Sequence, residues 1–145
     1  MVESWIFYGL FASLFFGVNA IVYKVAAVNG GLNPFYAGVF YGAGIFLTLL
    51  IAYFLKFSAP TTNFKWLAIA LIAGIIWGVG FLMTALAISQ HADVARLAPL
   101  YNTNTLVAVV LGIILLKELP SSEAAWRVVL GAVLIVAGSV LVSMK

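Results

Sequence analysis

Residues 97–118 read LAPLYNTNTLVAVVLGIILLKE, and this stretch decides what kind of molecule the chain is. From Leu106 to Leu116 it is an unbroken apolar run. Before that run stand Pro99, Tyr101 and four consecutive amide and hydroxyl residues, Asn102, Thr103, Asn104 and Thr105. A helix rising 1.5 Å per residue needs about 20 apolar residues to cross a hydrocarbon core of about 30 Å. Polar residues inside such a span have no bulk water to bond. They mark either bridges between helices or a pathway through the membrane.

The rest of the chain repeats the apolar half of this pattern. Of 145 residues, 66% are hydrophobic and only 8% are charged, with a mean hydropathy of +1.21, whereas a typical soluble domain has about 25% charged residues. The composition is that of an integral membrane protein. The net charge of +3 comes from seven Lys and Arg residues, most of them bordering apolar segments. That is a membrane-flank pattern and not a nucleic-acid footprint, so no nucleic-acid partner is expected. Absence of cysteine excludes disulfides and thiolate chemistry. The opening Met1-Val2-Glu3-Ser4 lacks the basic region of a signal peptide, so the first apolar segment is expected to be retained.

Five spanning helices are expected, over residues 4–28, 34–55, 64–89, 94–116 and 122–143, in a single all-α membrane domain covering 1–145. Trp5 and Tyr8 suit one interface of the first segment and Lys24 the other. Gly30-Gly31 makes a turn, and Asn33-Pro34 reads as an N-cap followed by proline at the first helical position. Pro60, Thr61, Thr62 and Asn63 supply turn and cap residues before segment three. Gln90 to Asp93 turns into segment four with Asp93 as N-cap, and Pro120 with Ser121 or Ser122 separates segment five. Gly38 with Gly42, and Gly74 with Gly78, form two G-x-x-x-G pairs for close helix packing. A β-barrel is excluded because its strands are about 10 residues long and alternate apolar with polar.

Charge gives little instruction on orientation. Lys56, Lys65, Lys117 and Arg127 fall on the side of the N-terminus, and Lys24, Arg96 and Lys145 on the other. Four against three leaves insertion in both orientations open.

Leu97-Ala98-Pro99 at a helix start, Glu118 just past its end, and Gly131, Leu134, Ile135 and Gly138 along the last helix together resemble the EamA-type unit of the drug/metabolite transporter superfamily. The resemblance covers essentially the whole chain. In that family the usual protein has ten helices, in two such units of opposite orientation around a central pathway. For a chain with one unit, the resemblance implies that two copies pair antiparallel to rebuild the inverted repeat, for which the charge balance leaves room. Two departures bear on substrate class. Lys117 stands where a small residue often precedes the glutamate, and segment two lacks the basic residue that many relatives carry.

The candidate substrate contacts are the polar residues within the spans. On a continuous helix Asn102 and Thr105 share one face, and Tyr101 and Asn104 another. Pro99 removes a backbone bond to the Ala95 carbonyl and is expected to kink the helix. Asn19 and Tyr23, one turn apart on segment one, either contact substrate or bridge helices. Lys24 either snorkels to headgroups or binds an anionic group. Arg96 either pairs with Asp93 or faces the pathway entrance. Trp77 either packs beside its glycines or forms an aromatic wall. His91 is read as a loop residue, since no second ligand accompanies it at metal spacing.

All four acidic residues, Glu3, Asp93, Glu118 and Glu123, fall at segment ends. That disfavours an exchanger built on a central carboxylate, and there is no Ser/His/Asp set, carboxylate pair or metal cluster for a hydrolase. The expected function is transport of a small neutral or zwitterionic, amino-acid-like metabolite by alternating access, with no cofactor. The expected partners are a second copy, membrane lipid and the small-molecule substrate. The setting is multi-pass in a prokaryotic plasma membrane. A non-transporting assembly subunit or half of a heteromeric complex is the alternative, and a lipid-linked sugar flippase a third reading.

Overall fold

The structure is a computed structural model of the chain and describes residues 4–56, 63–117 and 122–144, without the side chains of Trp5, Ser122, Glu123 and Ala124. The expectations placed on Glu3, Pro60, Thr61, Thr62, Glu118, Pro120, Ser121 and Lys145, and on the side chains of Trp5, Ser122 and Glu123, lie outside these residues. Among the described residues there are helices and no strand: α1 Ser4–Lys24, α2 Pro34–Leu55, α3 Phe64–Ser89, α4 Val94–Tyr101, α5 Asn104–Leu115 and α6 Ser122–Ser143. A π-helical turn, Val25–Asn29, prolongs α1. Among the described residues, five spans are long and apolar enough to cross a membrane: Ile6–Asn29, Pro34–Leu55, Phe64–Ser89, Val94–Leu115 and Ala125–Ser143.

The helix ends follow local chemistry. Asn33 Oδ1 accepts from Phe35 N at 2.9 Å and Pro34 opens α2, which satisfies one N–H left over by the first turn and places proline where no donor is needed. Asn63 caps α3 in the same way, accepting from Lys65 N at 3.2 Å. Asp93 holds the N-cap position of α4, but its carboxylate makes no cap bond. Its backbone carbonyl starts the helix instead, accepting from Arg96 N at 3.0 Å and Leu97 N at 2.8 Å.

The π turn ends in wide backbone bonds, Gly30 N to Val25 O and Leu32 N to Ala27 O, both at 3.1 Å. A Cβ on Gly30 would collide with the Ala26 carbonyl oxygen, and Gly31 has φ +61°, so both glycines of this turn are required by geometry. Left-handed backbone also ends α3, at His91 (φ 63°), and follows α5, at Lys117 (φ 57°). Neither of these is a glycine.

The fourth segment departs from the continuous kinked helix expected over 94–116. It is two helices, α4 and α5, separated by a turn at Asn102 and Thr103. The break falls three residues beyond Pro99, where hydroxyl side chains compete with the backbone for its carbonyls.

Contacts group the chain into two compact units. One comprises Met1–Ile21 and Ala92–Lys145, the other Val22–His91, so α1 contributes to both. In the first, α6 packs on α4 and α5, with Ala20, Val94, Ala132 and Ser139 buried. In the second, α2, α3 and the π turn pack together around Tyr23, Ala27, Ala37, Ala85 and Ile88. These cores consist mostly of small residues. Large apolar side chains such as Phe64, Leu55 and Phe15 are exposed instead, an exterior suited to hydrocarbon and not to water.

Candidate functional site

In the unit of Met1–Ile21 and Ala92–Lys145, the polar stretch forms the break between α4 and α5. Asn102 N still reaches Ala98 O at 3.1 Å. The next bonds are tighter, three residues back: Thr103 N to Leu100 O at 3.2 Å, Thr105 N to Asn102 O at 3.1 Å and Leu106 N to Thr103 O at 3.0 Å. The Thr103 hydroxyl donates to Leu100 O at 2.8 Å and the Thr105 hydroxyl to Asn102 O at 2.9 Å. The threonines therefore serve the turn itself. In a membrane this matters, because each interrupted carbonyl needs a donor.

The asparagines have no such duty. Asn102 and Asn104 are exposed, and neither side chain is hydrogen-bonded to another described residue. Asn102 and Thr105, like Tyr101 and Asn104, are three residues apart, a spacing that the tight right-handed turn between α4 and α5 keeps on one side. Asn102, Asn104 and Thr105 are all exposed, whereas Tyr101 and Pro99 are half-buried at the end of α4. Asn19, on α1 in the same unit, is also half-buried.

Of the two roles expected for Arg96, pairing with Asp93 is not formed among the described residues. Arg96 Nη2 donates to the Ser143 carbonyl at the end of α6, while the single Ser143 hydroxyl hydrogen goes to Ser139 O at 2.7 Å, with Arg96 O a distant alternative acceptor at 3.5 Å. A guanidinium at a helix C-terminus satisfies a leftover carbonyl and opposes the negative end of the helix dipole. The side chain joins α4 to α6 and forms no bridge to Asp93.

In the unit of Val22–His91, Tyr23 and Trp77 meet in an aromatic cluster whose other members, Tyr41 on α2 and Phe81 on α3, the sequence reading missed. Tyr41 and Phe81 stack with centroids 4.1 Å apart at 2°. Trp77 lies nearly parallel to both, 6.0 Å from Tyr41 and 5.7 Å from Phe81. Tyr23 meets Phe81 edge-on at 5.0 Å and Tyr41 at 5.7 Å. A signal existed: Phe81 follows Trp77 by four residues and Tyr41 follows Gly38 by three, spacings that share a helix face. Trp77 remains half exposed, and Lys24, next to Tyr23, is half-buried.

The glycine pairs divide. A Cβ on Gly38 would lie 3.7 Å from Phe81 Cε1, so this glycine faces the cluster across α2 and α3, whereas Gly42, Gly74 and Gly78 have open space within 4 Å. His91 is an exposed turn residue. No group of three or more His, Cys, Asp or Glu residues gathers among the described residues, and none of the five spans contains an Asp or Glu.

Five apolar spans, one of them broken at an amide-rich turn, define a multi-pass helical membrane protein with polar groups set inside the bilayer. The chain belongs to the EamA-like transporter family, whose model matches residues 3–144, and its general role is membrane transport. No curated protein and no solved structure matches it.

Proposed function

We propose that the protein carries a small neutral or zwitterionic, amino-acid-like metabolite across a prokaryotic plasma membrane, by alternating access between antiparallel copies. The observation that carries this reading is the break in the fourth span. It sets two amides, Asn102 and Asn104, inside an apolar segment while the neighbouring threonines absorb the bonding needs of the turn. Discontinuous helices are where membrane transporters hold substrate, since the half-helix ends offer backbone dipoles to it.

Neutral or zwitterionic cargo is supported by the lack of any carboxylate within the spans and by the engagement of Arg96 at the end of α6. Pairing of copies is supported by the near-even division of basic residues between the two sides and by the open glycines Gly42, Gly74 and Gly78. The same open glycines favour a second reading, a subunit that packs against a different membrane protein without transporting.

The experiment is uptake into proteoliposomes holding the purified full chain, with an amino-acid mixture as cargo and a terminal tag to report sidedness. The reading expects uptake, a homodimer and tags on both sides. A uniform tag orientation overturns the antiparallel pair. A chain that is stable only with another protein, and moves nothing, favours the subunit.

A further inference from the structure

We propose that Tyr23 is an occluded hydrogen-bonding position on the transport path: its hydroxyl is buried while Tyr41 and Phe81 pack edge-on against its ring, and separation of these rings exposes it to an acceptor oxygen of the transported molecule, such as an amino-acid carboxylate. The ligand half of this statement rests on the transport reading above; the opening rests on geometry alone.

Tyr23 is only 6% exposed, and its buried hydroxyl has no hydrogen-bond partner among the described residues. A hydroxyl taken from water without a replacement partner penalises the state that buries it, and folded proteins hold few such groups. A phenylalanine here would make the same edge-on contacts to Phe81 and Tyr41 without that penalty. The penalty vanishes in any state where the hydroxyl meets water or a ligand, so the orphan group itself favours opening. A phenol is also a good donor for a carboxylate or amide oxygen.

The cover is built to part. Tyr41 stands on α2 and Phe81 on α3, joined by a ring stack with Trp77 half exposed beside it. Tyr23 itself immediately precedes Lys24 and the π turn Val25–Asn29, an irregularity that often accompanies functional movement in helices.

Two measurements on the full chain in proteoliposomes test this. Tetranitromethane nitrates accessible tyrosines, and peptide mass spectrometry reads each site, with Tyr8 and Tyr36, 75% and 57% exposed, as open references and detergent-unfolded protein as the positive control. Tyr23 should react more slowly than both references but measurably, and more slowly again, relative to both references, with an equimolar mixture of amino acids lacking cysteine, tyrosine, tryptophan and methionine present. No nitration of Tyr23 in the folded protein overturns the opening.

The second measurement is Tyr23→Phe. Its thermal midpoint should rise by several degrees without ligand, and its amino-acid uptake should fall several-fold. A lowered midpoint means that the hydroxyl has a partner in the covered state and overturns the proposal. A raised midpoint with unchanged uptake overturns the ligand contact. If the wild-type chain moves no amino acid, the transport reading fails and the ligand contact with it, while nitration and the midpoint still decide whether the hydroxyl is uncovered.

Discussion

Arg96 Nη2 donates to the carbonyl of Ser143, 47 residues away, and fastens the start of α4 to the end of α6. Arg96→Ala removes a charge-assisted bond and leaves a helix-end carbonyl unpaired, so it should cost about 1 kcal/mol of stability for a half-buried group. Arg96→Lys should restore part of the loss. Chemical denaturation in detergent micelles measures both, and a larger effect on uptake than on stability would place the guanidinium in the transport path after all.

Asn102→Leu and Asn104→Leu separate substrate contact from helix bridging. Both amides are exposed and unbonded to other described residues, so stability should change by no more than about 0.5 kcal/mol. Uptake should fall by an order of magnitude or more if a hydrogen bond to substrate is lost. Normal uptake alongside a fall of about 0.6 kcal/mol or more in stability would show that the amides bridge helices.

The left-handed positions offer a stabilising test. His91→Gly and Lys117→Gly each relieve a backbone that an L-residue adopts at a cost of about 1 kcal/mol. Each variant should melt higher than the parent. Lys117→Gly should also leave uptake unchanged, because the lysine lies beyond the last residue of α5.

At the π turn the sign reverses. Gly30→Ala forces a Cβ into the Ala26 carbonyl and should destabilise by about 1–3 kcal/mol. Gly31→Ala strains a positive φ and should cost about 1 kcal/mol. Circular dichroism on heating reads both, and an unchanged Gly30→Ala midpoint would show that the π turn relaxes into an α-helix without penalty.

Much of the fold was legible because a bilayer permits so few solutions. Apolar runs long enough to cross must be helices, and Asn33, Pro34 and Asn63 mark helix starts through bonds made within two residues. The family resemblance rested on the same long-range regularity. The site was legible in part. Polar residues in an apolar background announce themselves, so Asn102, Asn104 and Tyr23 were visible, yet their surroundings were not. Helical periodicity assigned them faces but gave no sign of the turn at Asn102 and Thr103 that carries them. Arg96 was assigned to Asp93 or to the pathway entrance because the partner it has here, a backbone carbonyl 47 residues away, carries no side-chain signature.

The sequence by itself determined the solvent, the number of spans and the absence of carboxylates from them, because hydrophobic length and charge are properties of composition along the chain. Only the tertiary structure decided that the fourth span is two helices, that the threonines serve the turn and the asparagines do not, and that Tyr23 lies buried against Tyr41 and Phe81. Those outcomes depend on which carbonyl each hydroxyl reaches and which rings meet across helices. Such contacts are set by packing in three dimensions, and residue order alone leaves them open.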